Sequence, residues 1–348
     1  MSEYVRLLYG LGRPFSPLYT LAMSLRAAMY EKGLFRQYRL PAPVISLGNL
    51  TMGGTGKTPM AIYLAGLLAG KKPVIVSRGY GGKAKGRVNV VSDGRVVHLN
   101  ASAAGDEPFY MAENLPGVPV LTSKNKVDGG RCAVSRFGAG VVIVDDGFQH
   151  LRLKRDLDLV LFKVDSFLGN NRVFPGGDMR EPLQALARAD AFVLTCVDAE
   201  NRERAEAIKK ALAGKFPAIP VFMTEFRPVS LVTARGEQID LRDGPPSFFG
   251  FCGLANPQSF MRTLHLSGLN MAGFQVFRDH CPYCRPELDL LRKQSAKTAA
   301  QAFITTEKDL VKLKDKDLSL PLYALRMEVM AEQDFDDFVL EKLQGSST

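Results

Sequence analysis

The 348-residue chain has no tryptophan, only four histidines and five cysteines, and its uncharged runs are short. Each shortage excludes something. The cysteines, Cys132, Cys196, Cys252, Cys281 and Cys284, are odd in number and scattered, so they form no disulfide framework and point to a reducing compartment. The longest early uncharged run, residues 14–25 between Arg13 and Arg26, has 12 residues where a bilayer-crossing helix needs roughly 20, so no span is expected. An acidic residue at position 3, with no cleavage site after an apolar stretch, makes a poor secretory signal. No internal repeat or low-complexity tract stands out.

Hydrophobic residues at 46% are enough for a packed core, and the length, at about 150 residues per domain, suggests two domains or one large domain with an appendage. A net charge of +9 favours anionic partners: a phosphorylated metabolite, acidic lipid or nucleic acid. No recognition motif or aromatic-basic platform supports the last of these. Near the start, Leu18, Leu21, Ala22, Leu25 and Met29 share one helical face. Arg6, Arg13, Arg26, Lys32, Arg36 and Arg39 surround it. Residues 1–40 therefore read either as an amphipathic segment lying on a membrane surface or as one packed on the protein's own core.

Short β-rich runs follow at 44–47, 74–77, 118–121, 141–144, 157–162 and 191–195, with helical stretches such as 59–69 and 182–188 between them. This alternation predicts an α/β domain over 41–226, P-loop NTPase-like, its mainly parallel sheet covered by helices on both faces. A Pro, Gly, Arg and Asp-rich stretch at 227–246 reads as a linker. A second, smaller α/β lobe is expected over 247–330, with strands at 248–251, 274–277 and 302–305, then a C-terminal helix and tail over 331–348.

The strongest signal is Val44-Ile-Ser-Leu-Gly-Asn-Leu-Thr-Met-Gly-Gly-Thr-Gly-Lys-Thr-Pro59, a strand, a glycine-rich turn, Gly-Lys-Thr and a helix start. Backbone N–H groups of Gly53, Gly54, Thr55 and Gly56 can cradle phosphate oxygens, Lys57 reaches the outer phosphates, and the Thr58 hydroxyl suits Mg²⁺. The strict pattern wants glycine where Thr51 stands, so the match is to a Gly-Gly-x-Gly-Lys-Thr variant of the loop. Val141-Val-Ile-Val-Asp145-Asp146 supplies acidic residues at the end of a buried strand, where carboxylates hold Mg²⁺, and Gln149 and His150 follow.

Other clusters are weaker. Asn125-Lys-Val-Asp128 fits the guanine-reading element of GTPases but precedes the acidic strand, which is the wrong order, and is taken as a chance match. Ser77-Arg-Gly-Tyr-Gly-Gly82 is a cationic glycine loop, and Asp106 with Glu107 opens a helix as either caps or a base. Arg180 sits in a loop and could clamp phosphate. Cys281 and Cys284, with Cys252, make a weak zinc pattern, and Thr306 with Asp309 reads as a helix cap.

Taken in order, Ser46 to Pro59, Ser77 to Gly82, Gly105 to Pro108, Asp145 to His150, Arg180 to Pro182, Asp279-His280 and Thr305 to Asp309 resemble the tetraacyldisaccharide 4'-kinases of lipid A biosynthesis, over nearly the whole chain. The resemblance implies transfer of the γ-phosphate of ATP, with Mg²⁺, to the 4'-hydroxyl of a tetraacyldisaccharide 1-phosphate, giving lipid IVA. It implies a peripheral enzyme on the cytoplasmic face of the bacterial inner membrane, with an anionic glycolipid substrate and no obligate protein partner. Lys57 would grip phosphate, and Thr58 with Asp145 or Asp146 would place Mg²⁺. Asp106 would act as base with His280, while Asn49, Ser77, Glu107, Gln149, His150 and Arg180 would line the cleft. A membrane-recruited P-loop switch that hydrolyses nucleotide is the rival reading; it needs no acceptor base.

Overall fold

The computed structural model describes residues 3–254, 256–279, 281–314 and 316–345, with the side chains of residues 3–6 outside that description. It divides into two compact units, Met1–Phe226 with Val329–Thr348, and Arg227–Glu328. The first begins with α1 (Glu3–Gly12), a 3₁₀ turn (Arg13–Phe15) and α2 (Ser16–Glu31). It continues through β1 (Val44–Gly48), α3 (Lys57–Leu67), β2 (Pro73–Ser77), β3 (Asn89–Asp93), α4 (Ala101–Ala104), α5 (Asp106–Asn114), β4 (Pro119–Thr122) and α6 (Lys126–Phe137). Next come β5 (Val141–Asp145), β6 (Leu157–Lys163), β7 (Ala191–Val197) and α7 (Arg202–Lys215). Within β8 (Val221–Thr233) the chain passes into the second unit, where β9 (Gln238–Ile239), β10 (Phe248–Cys252), α8 (Pro257–Leu266), β11 (Met271–Val276), α9 (Arg285–Ser295), β12 (Ala302–Thr306) and α10 (Glu307–Leu310) follow. It returns within β13 (Leu322–Ala331) and ends with α11 (Gln333–Gly345).

In the first unit the strands lie in the order β8-β7-β6-β1-β5-β2-β4-β3. All neighbours pair in parallel except β3, which is antiparallel to β4. Side-chain alternation sorts the two faces. Ile45 and Leu47 of β1, Ile75 of β2 and Ile143 of β5 pack with Met60 and Leu64 of α3, Met111 of α5 and Phe335 and Val339 of α11. Val44, Val74, Val76, Val142 and Val144 point the other way, against Val127 and Ala133 of α6. Further along that face, Phe162, Phe192 and Leu194 meet Ala205, Ile208 and Leu212 of α7. In the second unit β11-β10-β12-β13 is parallel throughout. It too is covered on both faces, by Leu288 and Leu291 of α9 on one and Phe260 and Leu264 of α8 on the other.

Two features differ from the sequence expectation. The stretch 227–246 is not a bare linker: it carries the second half of β8, β9 and a 3₁₀ turn (Leu241–Asp243). Strands β3, β8 and β13 had no counterpart in the expected pattern. The expected helical stretch at 182–188 is present as a 3₁₀ helix (Leu183–Arg188). None of the residues of α2 is buried, and Leu18, Leu21 and Leu25 are 68%, 65% and 59% exposed. Among the described residues no helix is long and apolar enough to cross a membrane.

The last helix belongs to the first unit's core. Phe335 is fully buried and meets the ring of Phe222 edge-on at 5.3 Å. Phe335→Ala is expected to lower unfolding free energy by about 3–5 kcal/mol, as a large core truncation does, measured from urea transitions followed by circular dichroism.

Candidate active site

Four parallel strands of the first unit bring their C-terminal ends to one edge, where ligands of such sheets collect. The loop after β1 turns through Gly53 (φ 128°) and Gly56 (φ 82°) before α3 begins at Lys57. At Gly56 a side chain would be both strained and 2.8 Å from the ring of Phe226, so only glycine fits the turn. Gly56 offers no side-chain cap to α3, which leaves the first-turn amides facing the loop mouth as anion donors.

Asn49, fully buried, holds the loop in shape: its amide donates to the Thr51 and Gly53 carbonyls at 2.7 and 3.3 Å. Lys57 Nζ donates to Asn49 Oδ1 at 3.1 Å and lies 3.5 Å from Asp146 Oδ1. Arg180 reaches the same carboxylate, NH1 at 2.8 and 2.9 Å from its two oxygens, and Gln149 Oε1 at 3.4 Å. It is delivered there by backbone pairing, because Met52 N–H donates to the Asp178 carbonyl and Arg180 N–H to that of Leu50. Asp146 sits at φ 56°, a left-handed conformation that costs a non-glycine residue about 1 kcal/mol and turns its carboxylate toward these cations. Burial pushes the Asp146 acid upward, yet Lys57 and Arg180 outweigh it and hold it below the usual carboxylate range.

Asp145 is different. It is buried; Ser77 Oγ donates to its Oδ2 at 2.8 Å, while Oδ1 has no hydrogen-bond partner. Burial, then the nearby Glu107 charge, pushes its acid up. An orphaned buried carboxylate oxygen is a ligand of the type that suits a hard divalent cation. Ser77, expected to line the cleft, is buried and engaged with Asp145. Thr58 occupies the second position of α3, and Gln149 is tied to the loop by its amide, which donates to the Asn49 carbonyl at 3.1 Å.

Lys126 went unassigned in the sequence, folded into the chance guanine-reading match. In the structure Asn125 caps α6, and Lys126 is buried with Nζ donating to the Val76 carbonyl at 3.1 Å. Burial pulls its ammonium down to about 8 against the attraction of Asp145 and Asp146. The missed signal was position: a lysine in the first turn of a helix that follows a parallel strand points at the sheet's ligand edge. His150 lies nearby, lowered to about 4 by burial and then by Lys126.

Asp106 and Glu107 form the first turn of α5. Their helix start is fixed by close approach: Gly105 (φ 94°) would place a Cβ 2.5 Å from the Tyr80 carbonyl, so the 77–82 loop and this turn touch backbone to backbone. Beside them lies a cleft of about 410 Å³ whose walls include Arg78, Lys83, Lys85, Arg87 and Lys124. His280 lies outside the described residues. Cys252 and Cys281 are buried while Cys284 is exposed, and no metal-binding cluster of three or more His, Cys, Asp or Glu residues occurs among the described residues.

The His150 shift sets a pH dependence. Between about 4 and 6.5 the unfolded chain binds a proton at this ring and the folded chain does not, so stability is lost as pH falls through that window. His150→Gln is expected to recover about 2 kcal/mol of the acid loss at pH 4.5, read from urea midpoints of both proteins at pH 7 and 4.5.

A family profile described as tetraacyldisaccharide-1-P 4'-kinase matches residues 8–344. The chain is 45% identical over 337 residues to the tetraacyldisaccharide 4'-kinase of Desulfotalea psychrophila, covering 96% of this chain and 97% of that protein. It is 41% identical over 313 residues to that of Geobacter metallireducens, covering 88% and 89%. A crystal structure of LpxK from Aquifex aeolicus in complex with ATP superposes with a TM-score of 0.77 at 33% identity, over 95% of this chain and 98% of that one. With the phosphate loop, its acidic partners and these matches running nearly end to end, the chain belongs to the tetraacyldisaccharide 4'-kinase family.

Proposed function

We propose that this chain moves the γ-phosphate of ATP to the 4'-hydroxyl of a tetraacyldisaccharide 1-phosphate, giving lipid IVA, at the site on the ends of β1, β2 and β5. The observation that carries the reading is the cation arrangement. Lys57, at the mouth of a capless glycine loop, is pinned between Asn49 and Asp146, with Arg180 on the far side of the same carboxylate. Phosphoryl transfer asks little covalent chemistry of a protein; positioning and charge neutralisation supply most of the rate. Amides of residues 53–58 cradle the phosphates, and Lys57 exchanges its carboxylate neighbour for the outer phosphate oxygens.

Thr58 with Asp145 or Asp146 would hold Mg²⁺, and the unpartnered Asp145 Oδ1 fits that role. Bound there, the ion would supply neutralisation of phosphate charge. Asp106 takes the proton from the sugar hydroxyl, and His280 is the second catalytic group that the family resemblance assigns. The cationic cleft beside the 77–82 loop favours an anionic glycolipid.

A tetraacylated acceptor stays in the bilayer, since each buried methylene is worth about 0.8 kcal/mol, so the enzyme works at the membrane surface as a peripheral protein. The site is built for this. Tyr19 donates to the Arg180 carbonyl at 3.2 Å and Arg26 to that of Gln149 at 3.2 Å, so α2 runs beside these two residues with Leu18, Leu21 and Leu25 outward. We place it on the cytoplasmic face of the inner membrane, where ATP is available.

With labelled ATP, Mg²⁺ and detergent-dispersed tetraacyldisaccharide 1-phosphate, label should enter the lipid at the 4' position. Lys57→Ala is expected to cut turnover about 10³-fold or more and Asp106→Ala about 10²-fold. Ordinary turnover by Lys57→Ala, or phosphate release indifferent to lipid, would support the hydrolytic switch instead. Replacing Leu18, Leu21 and Leu25 together by serine should lower binding to phosphatidylcholine vesicles at least tenfold in a flotation assay, because three exposed apolar side chains lose their burial in lipid.

A further inference from the structure

Past the end of α2 the chain makes a second feature that phosphate transfer does not use. The helix closes by Lys32 N–H donating to the Ala28 carbonyl, and Phe35 folds back onto the ring of Tyr30 at 5.2 Å. Residues 37 and 38 then lie along residues 151–154: Tyr38 N–H donates to the Arg152 carbonyl, Lys154 N–H to that of Tyr38, and the Gln37 amide to that of Leu151. This fixes the Tyr38 ring, and three guanidiniums gather on it. Arg36 lies 4.9 Å from its centroid, Arg131 of α6 at 5.0 Å, and Arg152 at 5.0 Å.

Like charges so close repel, and stacking on one ring returns only about 0.5–1 kcal/mol each at an exposed position. The acids within reach make their hydrogen bonds elsewhere, and Asp128 acts on Arg131 and Arg152 only through its charge. Asp128 takes a two-pronged contact from Arg87 at 2.7 and 2.8 Å, and Asp156 accepts from the Val44 amide and from Arg39. No ion pair is made by Arg36, Arg131 or Arg152 among the described residues. The Arg152 hydrogen bond, with the surrounding guanidinium charges, also draws the Tyr38 hydroxyl below its ordinary value. Such an open cluster on three chain segments, with no direct ion pair of its own among the described residues, is complementary to phosphate.

We propose that the Tyr38 arginine cluster binds the phosphates of anionic phospholipids, so that docking selects a negatively charged bilayer. This rests on the membrane reading above and adds the lipid class. Lipid is favoured over a soluble anion because Leu34 and Phe35, 69% and 39% exposed, directly precede the cluster. Tyr38 lies three positions after Phe35, a reach of at most about 11 Å, so apolar side chains at the acyl boundary would set the arginines among the headgroups. A soluble phosphate would leave both hydrophobic residues in water.

The test is flotation of the full chain with phosphatidylcholine vesicles, with and without one third phosphatidylglycerol. Wild type should bind the anionic vesicles at least tenfold better, and high salt should remove the difference. The double variant Arg131→Gln, Arg152→Gln should lose about fivefold per arginine on anionic vesicles, bind neutral ones as wild type does, and keep wild-type kinase turnover on detergent-dispersed substrate. Equal binding of both vesicles by wild type, or unchanged anionic binding by the variant, overturns the proposal while leaving membrane docking intact. Loss of anionic selectivity on adding millimolar glycerol phosphate would identify a soluble-anion site and overturn it too. Wild type binding neither vesicle would overturn the membrane reading itself.

Discussion

Two acids side by side at the end of a buried strand are the constraint on which the first unit's arrangement depends. Asp145 and Asp146 are close, at least partly buried, and flanked by Glu107, so the fold must bring positive charge to them. It does so from three unrelated stretches: Lys57 from the glycine loop, Lys126 from the start of α6, and Arg180 from a loop zipped to residues 50–52. The balance is uneven, and that unevenness is useful. Asp146 keeps two cations and stays ionised the more readily, while Asp145 is left more costly to ionise with an oxygen that nothing satisfies.

Much of this was legible in the chain. The glycine loop, the acidic strand and the Asp106 turn are local: few residues, fixed spacing, chemistry that follows from backbone geometry. The central strands were legible for the same reason, since fully buried parallel strands such as 141–145 are continuous apolar runs. What escaped was non-local or half-exposed. β8 is buried at its ends and open in the middle, and β13 alternates irregularly, so neither has a clean period of two. Arg180 is held by strand-like pairing with the loop after β1. Lys126 was hidden because burial of a lysine is a tertiary event, dependent on carboxylates some twenty residues further on.

The amphipathic segment shows the limit in another way. Periodicity states that one face is apolar and says nothing about what that face meets. Only the fold reveals that the polar and aromatic side of α2, through Ser16, Tyr19 and Arg26, is the side that contacts the protein. The leucines are left on the outside. An ordinary surface helix is built the other way round.

The chain's path has its own consequence. Because the stretch Arg227–Glu328 is inserted between two parts of the first unit, Val329 of β13 and Phe335, Val339 and Leu343 of α11 join a core whose other buried members, up to Phe222, were synthesised long before. A ribosome making this protein exposes the glycine loop and its strands while the side chains that seal their apolar face are still untranslated. The newborn chain therefore carries an open hydrophobic seam along its nucleotide-handling unit until α11 emerges.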